Sequence, residues 1–396
     1  MDILLIYSTP NLGGAEIYAL NYLSVLKDEV EFLVVGPENS FLTTEARAQG
    51  IATLEVPLSY PQCDITQVVQ SAHLIERYMK QQNFQPTLVQ VHHLPAAMVG
   101  SLLVRECDIP LLFNLDSAYI RETYRQFLRV VPNYVLGGSY TCQTYILDKA
   151  LQTPERTFVM PGGIEVNRFP PVSDHTRSAA RAALELNGRH TIIGFAARLV
   201  PDKGVIPTIE AFKLLLEDSE VSHRHDLRLL VAGSGPLQNE LKQFAQANGL
   251  TNQLHILDNL SHDQMPDFYA ALDVLVLPTR REGRPLVVQE ALVSGVPVVA
   301  TPVGDIPLMV THGINGYIIP VAQNNHHHDP HLENIIDMVS PEQIAAGIKT
   351  ILNEPQFRQN LIASNQDFRD EFDNVAQSQK LLAVYEQIKA RTKQFV

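Results

Sequence analysis

The chain is poor in cysteine, in positive charge and in long apolar runs, and each shortage removes a class of function. Its three cysteines, Cys63, Cys107 and Cys142, are scattered without the spacing of a metal site or a redox pair, so they are expected as buried free thiols in a reducing compartment. Lys and Arg number 30 against 43 Asp and Glu, a formal net charge of −13, which disfavours generic binding to nucleic acid or to an anionic membrane. No apolar run approaches bilayer length, and Met1-Asp2-Ile-Leu-Leu-Ile-Tyr7 is too short for a signal-peptide core and meets Pro10 at once. A cytoplasmic protein whose partners are small molecules is the expectation. The dinucleotide fingerprint is missing too: Gly13-Gly14-Ala-Glu16 is not Gly-x-Gly-x-x-Gly, which counts against a nicotinamide enzyme.

What the chain does have is a rhythm. Short apolar runs, Ile3–Tyr7, Glu31–Gly36, Ala52–Val56, Leu88–His92, Pro110–Asn114, Tyr134–Leu136 and Thr157–Pro161, alternate with longer amphipathic stretches, as parallel α/β sheets require. The composition breaks at Phe169-Pro-Pro-Val-Ser-Asp-His, and the rhythm restarts with Thr191–Ala197, Leu227–Gly233, Leu254–Leu257, Asp273–Pro278, Pro297–Thr301 and Tyr317–Pro320. At 396 residues the chain exceeds the size at which one core stops growing, and its 45% hydrophobic content is ample for two.

Between two strands of the second half stands Asp273-Val-Leu-Val-Leu-Pro-Thr-Arg-Arg-Glu282-Gly-Arg-Pro-Leu-Val-Val-Gln-Glu290-Ala-Leu-Val-Ser-Gly-Val-Pro-Val-Val-Ala-Thr301. Pro285 suits the first turn of a helix and Gly295 its stop, so Leu286–Ser294 reads as helix with Glu290 inside it. At about 100° per residue Leu286 and Val293 fall between Gln289 and Glu290, which leaves no clean polar face to put Glu290 in water. A carboxylate there needs a partner. Glu282 and Gly283 follow the carboxyl end of a strand, where ligands of open α/β sheets gather. Spacing alone also fits a solvated Glu282 and a helix-surface Glu290, because glutamate is common on helices.

Glu282-x7-Glu290, with the run Ala-Leu-Val-Ser-Gly-Val-Pro-Val-Val-Ala-Thr301 after it, resembles the signature of family 4 glycosyltransferases, retaining enzymes that use a nucleotide sugar. The resemblance extends over nearly the whole chain, through Pro161-Gly-Gly163 and His312-Gly313-Ile-Asn-Gly316. It implies an α/β protein of the GT-B fold, two doubly wound Rossmann-like domains facing each other across a cleft. The division expected is 1–168 for an acceptor-side domain and 169–376 for a nucleotide-sugar domain, with the helix 377–396 crossing back onto the first.

The resemblance also implies roles. Glu290 would bind the nucleotide ribose, and Glu282 would lie near the donor sugar with Gly283, Arg284, Pro285 and Leu286. Gly194-Phe-Ala-Ala-Arg198-Leu-Val-Pro-Asp-Lys203-Gly204 resembles the family's motif in which two cations hold the donor's phosphates, a task suited to the Arg198 fork and the Lys203 point charge, although spacing alone fits a solvated loop equally. Gly13 and Gly14 match the family's glycine loop; a lone Gly-Gly after a strand is as readily a tight turn. In Gln90-Val91-His92-His93 the family usually has His-x-His, which sets Gln90 at the first histidine and His92 at the second. His92 is thus expected to contact the donor sugar, with His93 as the alternate register, whereas a lone strand-end histidine is more often structural. Asn259 and Leu260 would border the base through their main chain. Two departures stand out: Gly304-Asp305-Ile-Pro307-Leu308 replaces Gly-Gly-x-Pro-Glu, and Arg284 stands where many members have Phe, which leaves the donor sugar open.

The activity expected is retaining transfer of a sugar from a nucleotide diphosphate sugar, a UDP-sugar first, to a hydroxyl of a glycan, lipid or small molecule, with Glu282, His92, Arg198 and Lys203 at the reacting centre. No cofactor and no metal are expected, since no Asp-x-Asp triplet occurs to hold a divalent ion. A nucleotide-sugar epimerase or hydrolase and a catalytically silent sugar-nucleotide binder are the alternatives. Arg121, Arg125 and Arg129 recur at helical spacing and form a stripe for an anionic acceptor or a weak peripheral contact at the inner membrane face, against the simpler reading of a solvated face. The histidines of Gln323-Asn-Asn-His326-His-His328-Asp-Pro-His331 read as a solvated loop rather than a metal site.

Overall fold

The structure is a computed structural model that describes residues 1–396 apart from 11–12, 60–62, 106, 117–121, 150, 259, 322–338 and 393–396. It separates into two compact units, Met1–Glu165 with Phe372–Val396, and Val166–Glu371. Each boundary falls a few residues before the expected one.

The first unit is built on a seven-stranded parallel sheet of β1 (Asp2–Ile6), β2 (Glu31–Pro37), β3 (Ala52–Val56), β4 (Leu88–His92), β5 (Leu111–Leu115), β6 (Tyr134–Gly137) and β7 (Thr157–Val159), in the order β3-β2-β1-β4-β5-β6-β7. β4 and β5 are buried along their whole length, as unalternating apolar strands covered on both faces must be. One face of the sheet is closed by Tyr18, Tyr22 and Leu23 of the helix Gly14–Leu26, together with Leu381, Val384, Tyr385 and Ile388 of the terminal helix Asn374–Thr392. Each such buried side chain contributes about 1.5–3 kcal/mol, so the last helix belongs energetically to the unit where the chain began.

The second unit repeats the plan with β8 (His190–Ala196), β9 (Asp226–Ala232), β10 (Leu254–Leu257), β11 (Val274–Leu277), β12 (Val298–Ala300) and β13 (Gly316–Ile318), in the order β10-β9-β8-β11-β12-β13. The helices Val205–Glu217 and Pro341–Asn353 pack on one face of this sheet and bury Ile209, Phe212, Ile344 and Ile348 against Ile193 and Phe195. In both sheets the strand order reverses beside the first strand, between β1 and β4 and between β8 and β11. Helices leave opposite faces there, and the strand ends part to leave room for a ligand.

Among the described residues no helix is long and apolar enough to cross a membrane. The three thiols are free, but only Cys142 is buried; Cys63 is half-buried and Cys107 exposed, so the expectation of uniformly buried cysteines is corrected.

Candidate functional site

The second unit gathers its chemistry at the β8/β11 reversal. Past β8 the chain runs through Arg198 into a single 3-10 turn, Pro201–Lys203, then Gly204 and the helix Val205–Glu217. Gly204 has φ +76, and a Cβ there would stand 2.4 Å from the Pro278 carbonyl oxygen, so only glycine lets this turn lie on the end of β11. That closeness brings the Lys203 ammonium within 2.5 Å of Glu282 Oε1 and 3.2 Å of the Arg281 carbonyl. The two charged side chains are 14% and 15% exposed, half-sunk but reachable.

Neighbouring loops are tied to the same spot. The Arg280 amide donates to the Asp202 carbonyl at 2.7 Å, the Thr301 hydroxyl to the Thr279 carbonyl at 2.6 Å, and the Asp305 amide to the Gly283 carbonyl at 2.7 Å. Gly304, at φ +59, admits that last contact, since a Cβ would lie 2.4 Å from the Gly283 oxygen. The loops after β8, β11 and β12 therefore form one cross-linked rim. Arg198 projects from it into solvent and pairs with no described carboxylate.

Glu290 lies inside the helix Leu286–Val293, whose N-cap is Pro285, and its carboxylate is buried. The partner that burial demands is Tyr269, whose hydroxyl donates to Oε2 at 2.7 Å, while His262 Nε2 stands 3.8 Å from Oε1. Burial first, and then the charge and hydrogen bond of Glu290, raise the Tyr269 hydroxyl well above its ordinary range, so it remains a donor. Phe169 packs edge-on against both rings. Beside Glu290, the amide of fully buried Gln289 has no hydrogen-bond partner among the described residues, a residue composition and spacing did not single out. A buried amide without a partner costs about 1–3 kcal/mol, and a water or a ligand atom would relieve it. Gly283 and Pro285 are buried and Leu286 and Leu260 half-buried at this rim, whereas Asn259 lies outside the described residues.

Arg284 departs from expectation. Its side chain is 2% exposed, donates to Glu371 Oε1 at 2.7 Å and lies 3.6 Å from Asp305 Oδ2. The guanidinium is turned inward. Asp305 is itself the other departure from the family pattern, and the two unusual residues compensate each other as a buried ion pair.

In the first unit the register sets Ile6 opposite Val91, so Tyr7 and His92 follow side by side and stack with ring centroids 4.0 Å apart. His92 Nδ1 lies 3.2 Å from Asp116 Oδ2 and Nε2 lies 2.8 Å from the Tyr7 hydroxyl. The imidazole is thus held between a carboxylate on one side and a phenol hydroxyl on the other. His92 is completely buried, and the expectation of direct sugar contact is corrected: both ring nitrogens are engaged inside the fold. Gln90 donates to Asn114 Oδ1 at 2.9 Å and accepts from Tyr385 of the terminal helix, a structural tie.

Gly13 is the extended N-cap of the helix Gly14–Leu26. A Cβ on Gly13 would lie 2.9 Å from Glu16 Oε2, and the Thr9 hydroxyl donates to Glu16 Oε1. The helix N-terminus expected for a phosphate thus already faces a carboxylate of the chain. Of the arginine stripe, two residues are described. Arg121 lies outside the described residues, Arg125 is half-buried with its guanidinium 5.8 Å from the Tyr145 ring centre, and only Arg129 is exposed. The histidines His326, His328 and His331 lie outside the described residues.

His93, the N-cap of the helix Leu94–Val104, has φ 65 and ψ 158, a conformation that only glycine enters readily and that costs other residues roughly 1–3 kcal/mol. Burial lowers its imidazole to about 4. Unfolded histidine titrates near 6.5, so the folded state resists protonation; stability is complete above pH 6.5 and falls by roughly 3 kcal/mol as pH drops to about 4. In His93→Gly, melting curves are expected to shift in the variant's favour relative to wild type as pH falls from 7.5 to 5. A pH-independent difference would contradict this account.

Residues 176–329 match the family model described as glycosyl transferases group 1. The chain is 25% identical over 306 residues to an uncharacterized glycosyltransferase of Methanocaldococcus jannaschii, covering 73% of each. It is 26% identical over 236 residues to the D-inositol 3-phosphate glycosyltransferase of Jonesia denitrificans, over 59% of this chain and 52% of that protein, about half its length. Among solved structures, Anabaena HepE in complex with UDP-glucose superposes with a TM-score of 0.78 at 20% identity, covering 98% of this chain and 99% of that one. WaaG, a glycosyltransferase involved in lipopolysaccharide biosynthesis, superposes with a TM-score of 0.68 at 14% identity over 97% and 99%.

Proposed function

We propose that this chain, a glycosyltransferase with the GT-B fold, is a retaining enzyme of family 4 that moves a sugar from a UDP-sugar to a hydroxyl acceptor. The observation that carries the reading is the pairing of Lys203 with Glu282 at the β8/β11 reversal, above a buried Glu290 held by Tyr269. An ammonium has three donors; Glu282 and the Arg281 carbonyl take two, and the third is left for a phosphate oxygen, with Arg198 as the second cation. Glu290 keeps lone pairs on Oε1 for the ribose hydroxyls. Glu282 offers its second oxygen to a hydroxyl of the donor sugar.

The bond from the anomeric carbon to the diphosphate breaks, and a bond from that carbon to the acceptor oxygen forms on the same face. The acceptor's proton passes to the departing phosphate oxygen, and the charge that develops there is met by Arg198 and Lys203. Uridine as the base is supported by HepE, which was solved with UDP and with UDP-glucose.

Product analysis tests the reading. With UDP-sugars and a panel of sugar acceptors, NMR of the product is expected to show the anomeric configuration of the donor. An inverted anomer would overturn retention. Free sugar released at the same rate with and without acceptor would point to a hydrolase.

A further inference from the structure

We infer that Asp116 is the side chain of the first unit that touches the acceptor, with His92 and Tyr7 as its positioning residues, and that the acceptor bound there is a neutral polyhydroxyl compound rather than a phosphate or an anionic headgroup. This rests on the glycosyltransferase reading. The argument starts from accessibility. Tyr7 and His92 are fully buried, and of the three groups in the chain Tyr7 hydroxyl, His92 imidazole, Asp116 carboxylate, only the last reaches solvent, at 29% exposed. It lies just past the end of β5, beside the β1/β4 reversal where ligands of such sheets gather.

The surroundings choose the ligand. On the same face of β5, two residues before Asp116, the buried Asn114 side chain turns its amide to the Asp116 carboxyl and helps to hold it down. An accessible carboxylate is an acceptor that a hydroxyl group, able to donate, satisfies. An anion is discouraged twice. Asp116 is one negative charge, and Glu16 already occupies the start of the helix Gly14–Leu26, where a phosphate would otherwise find N–H groups. Glu16 and Asp116 are close enough that, after burial, the charge of Asp116 adds to the raised titration of Glu16. Arg125 is drawn in against the Tyr145 ring rather than held out to solvent.

Burial opposes the Asp116 carboxylate, yet the charge and hydrogen bond of His92, with smaller help from His93 and Asn114, bring it below its ordinary range. Among the described residues, the titratable groups around it are His92, His93, Glu16, Tyr7, Tyr18 and Tyr22. Removing His92 should therefore raise the titration of Asp116 and move the acid limb of acceptor kcat/KM to higher pH. A purely structural His92 would lower kcat/KM equally at every pH.

The experiment uses the full chain with a UDP-sugar and two acceptor sets, neutral glycosides and the same sugars phosphorylated, while UDP affinity is measured in parallel. Neutral glycosides are expected to be the better substrates of wild type. In Asp116→Asn the acceptor KM should rise about tenfold or more with UDP affinity within about twofold of wild type, and His92→Gln should show the shifted acid limb. Preference for the phosphorylated set in wild type, which needs no variant to fold, would overturn the inference. So would UDP binding without transfer to any neutral acceptor, or an unchanged acceptor KM in Asp116→Asn. If wild type binds no UDP, the glycosyltransferase reading itself fails.

Discussion

Replacing Lys203 by alanine is expected to lower kcat by about 10² or more, the scale of losing one preorganised charge-stabilising group, with Arg198→Ala following the same direction. In the proposed reaction the departing diphosphate gains negative charge in the transition state, and the proposal has Arg198 and Lys203 meet it. Lys203 is held by Glu282 at 2.5 Å and by the Gly204 turn that lays it on the end of β11. Arg198, exposed and unpaired with any described carboxylate, adds its charge at no cost in broken ion pairs. Turnover is accordingly expected to survive excess chelator. Activity abolished by chelator and restored by Mg²⁺ or Mn²⁺, with Lys203→Ala nearly normal, would show the phosphate site to be misassigned.

The second large effect separates the two glutamates. Glu282→Gln should reduce turnover by about 10² and spare binding of free UDP, because the substitution removes the charge beside the sugar and releases the Lys203 ammonium to the phosphates. Glu290→Gln acts elsewhere. It exchanges one acceptor oxygen for a donor in a buried setting where the Tyr269 hydroxyl already donates to that carboxylate at 2.7 Å, so ribose recognition and local packing both suffer. Equal losses of turnover with equal losses of UDP affinity in the two variants would remove the division of labour.

The sheets were legible because parallel strands buried on both faces leave unalternating apolar runs, and every run that composition marked as a strand became one of β1–β13. Their ends slipped by a residue or a few, since ladder pairing rather than composition decides where a strand stops. Pro285 and Gly295 likewise bracketed the helix that carries Glu290. The need for a partner at Glu290 followed from the lack of a polar face on that helix, but Tyr269 did not, because its position depends on how the helix Met265–Ala271 packs.

Side-chain direction was the part out of reach. A strand-end histidine looks the same in sequence whether it faces a ligand or, like His92, stacks under a tyrosine. Arg284 reads as a loop residue beside the sugar until Asp305 and Glu371, far along the chain, are folded against it. The helical spacing of Arg125 and Arg129 held within the helix Glu122–Val130, yet the Tyr145 ring drew one of the two partly out of solvent. That the Glu16 carboxylate folds back beside Gly13 follows from three-dimensional contact alone.

The central claim is that a nucleoside diphosphate is held at the β8/β11 reversal with Glu290 on its ribose. It is tested most directly by calorimetric titration of UDP, with chelator present, into wild type, Glu282→Gln and Glu290→Gln. UDP is expected to bind wild type and Glu282→Gln with similar affinity and to bind Glu290→Gln at least about tenfold more weakly, the loss of roughly 1.4 kcal/mol that one hydrogen bond to a charged group represents. UDP binding that is unchanged in Glu290→Gln, or absent from wild type, would contradict the account.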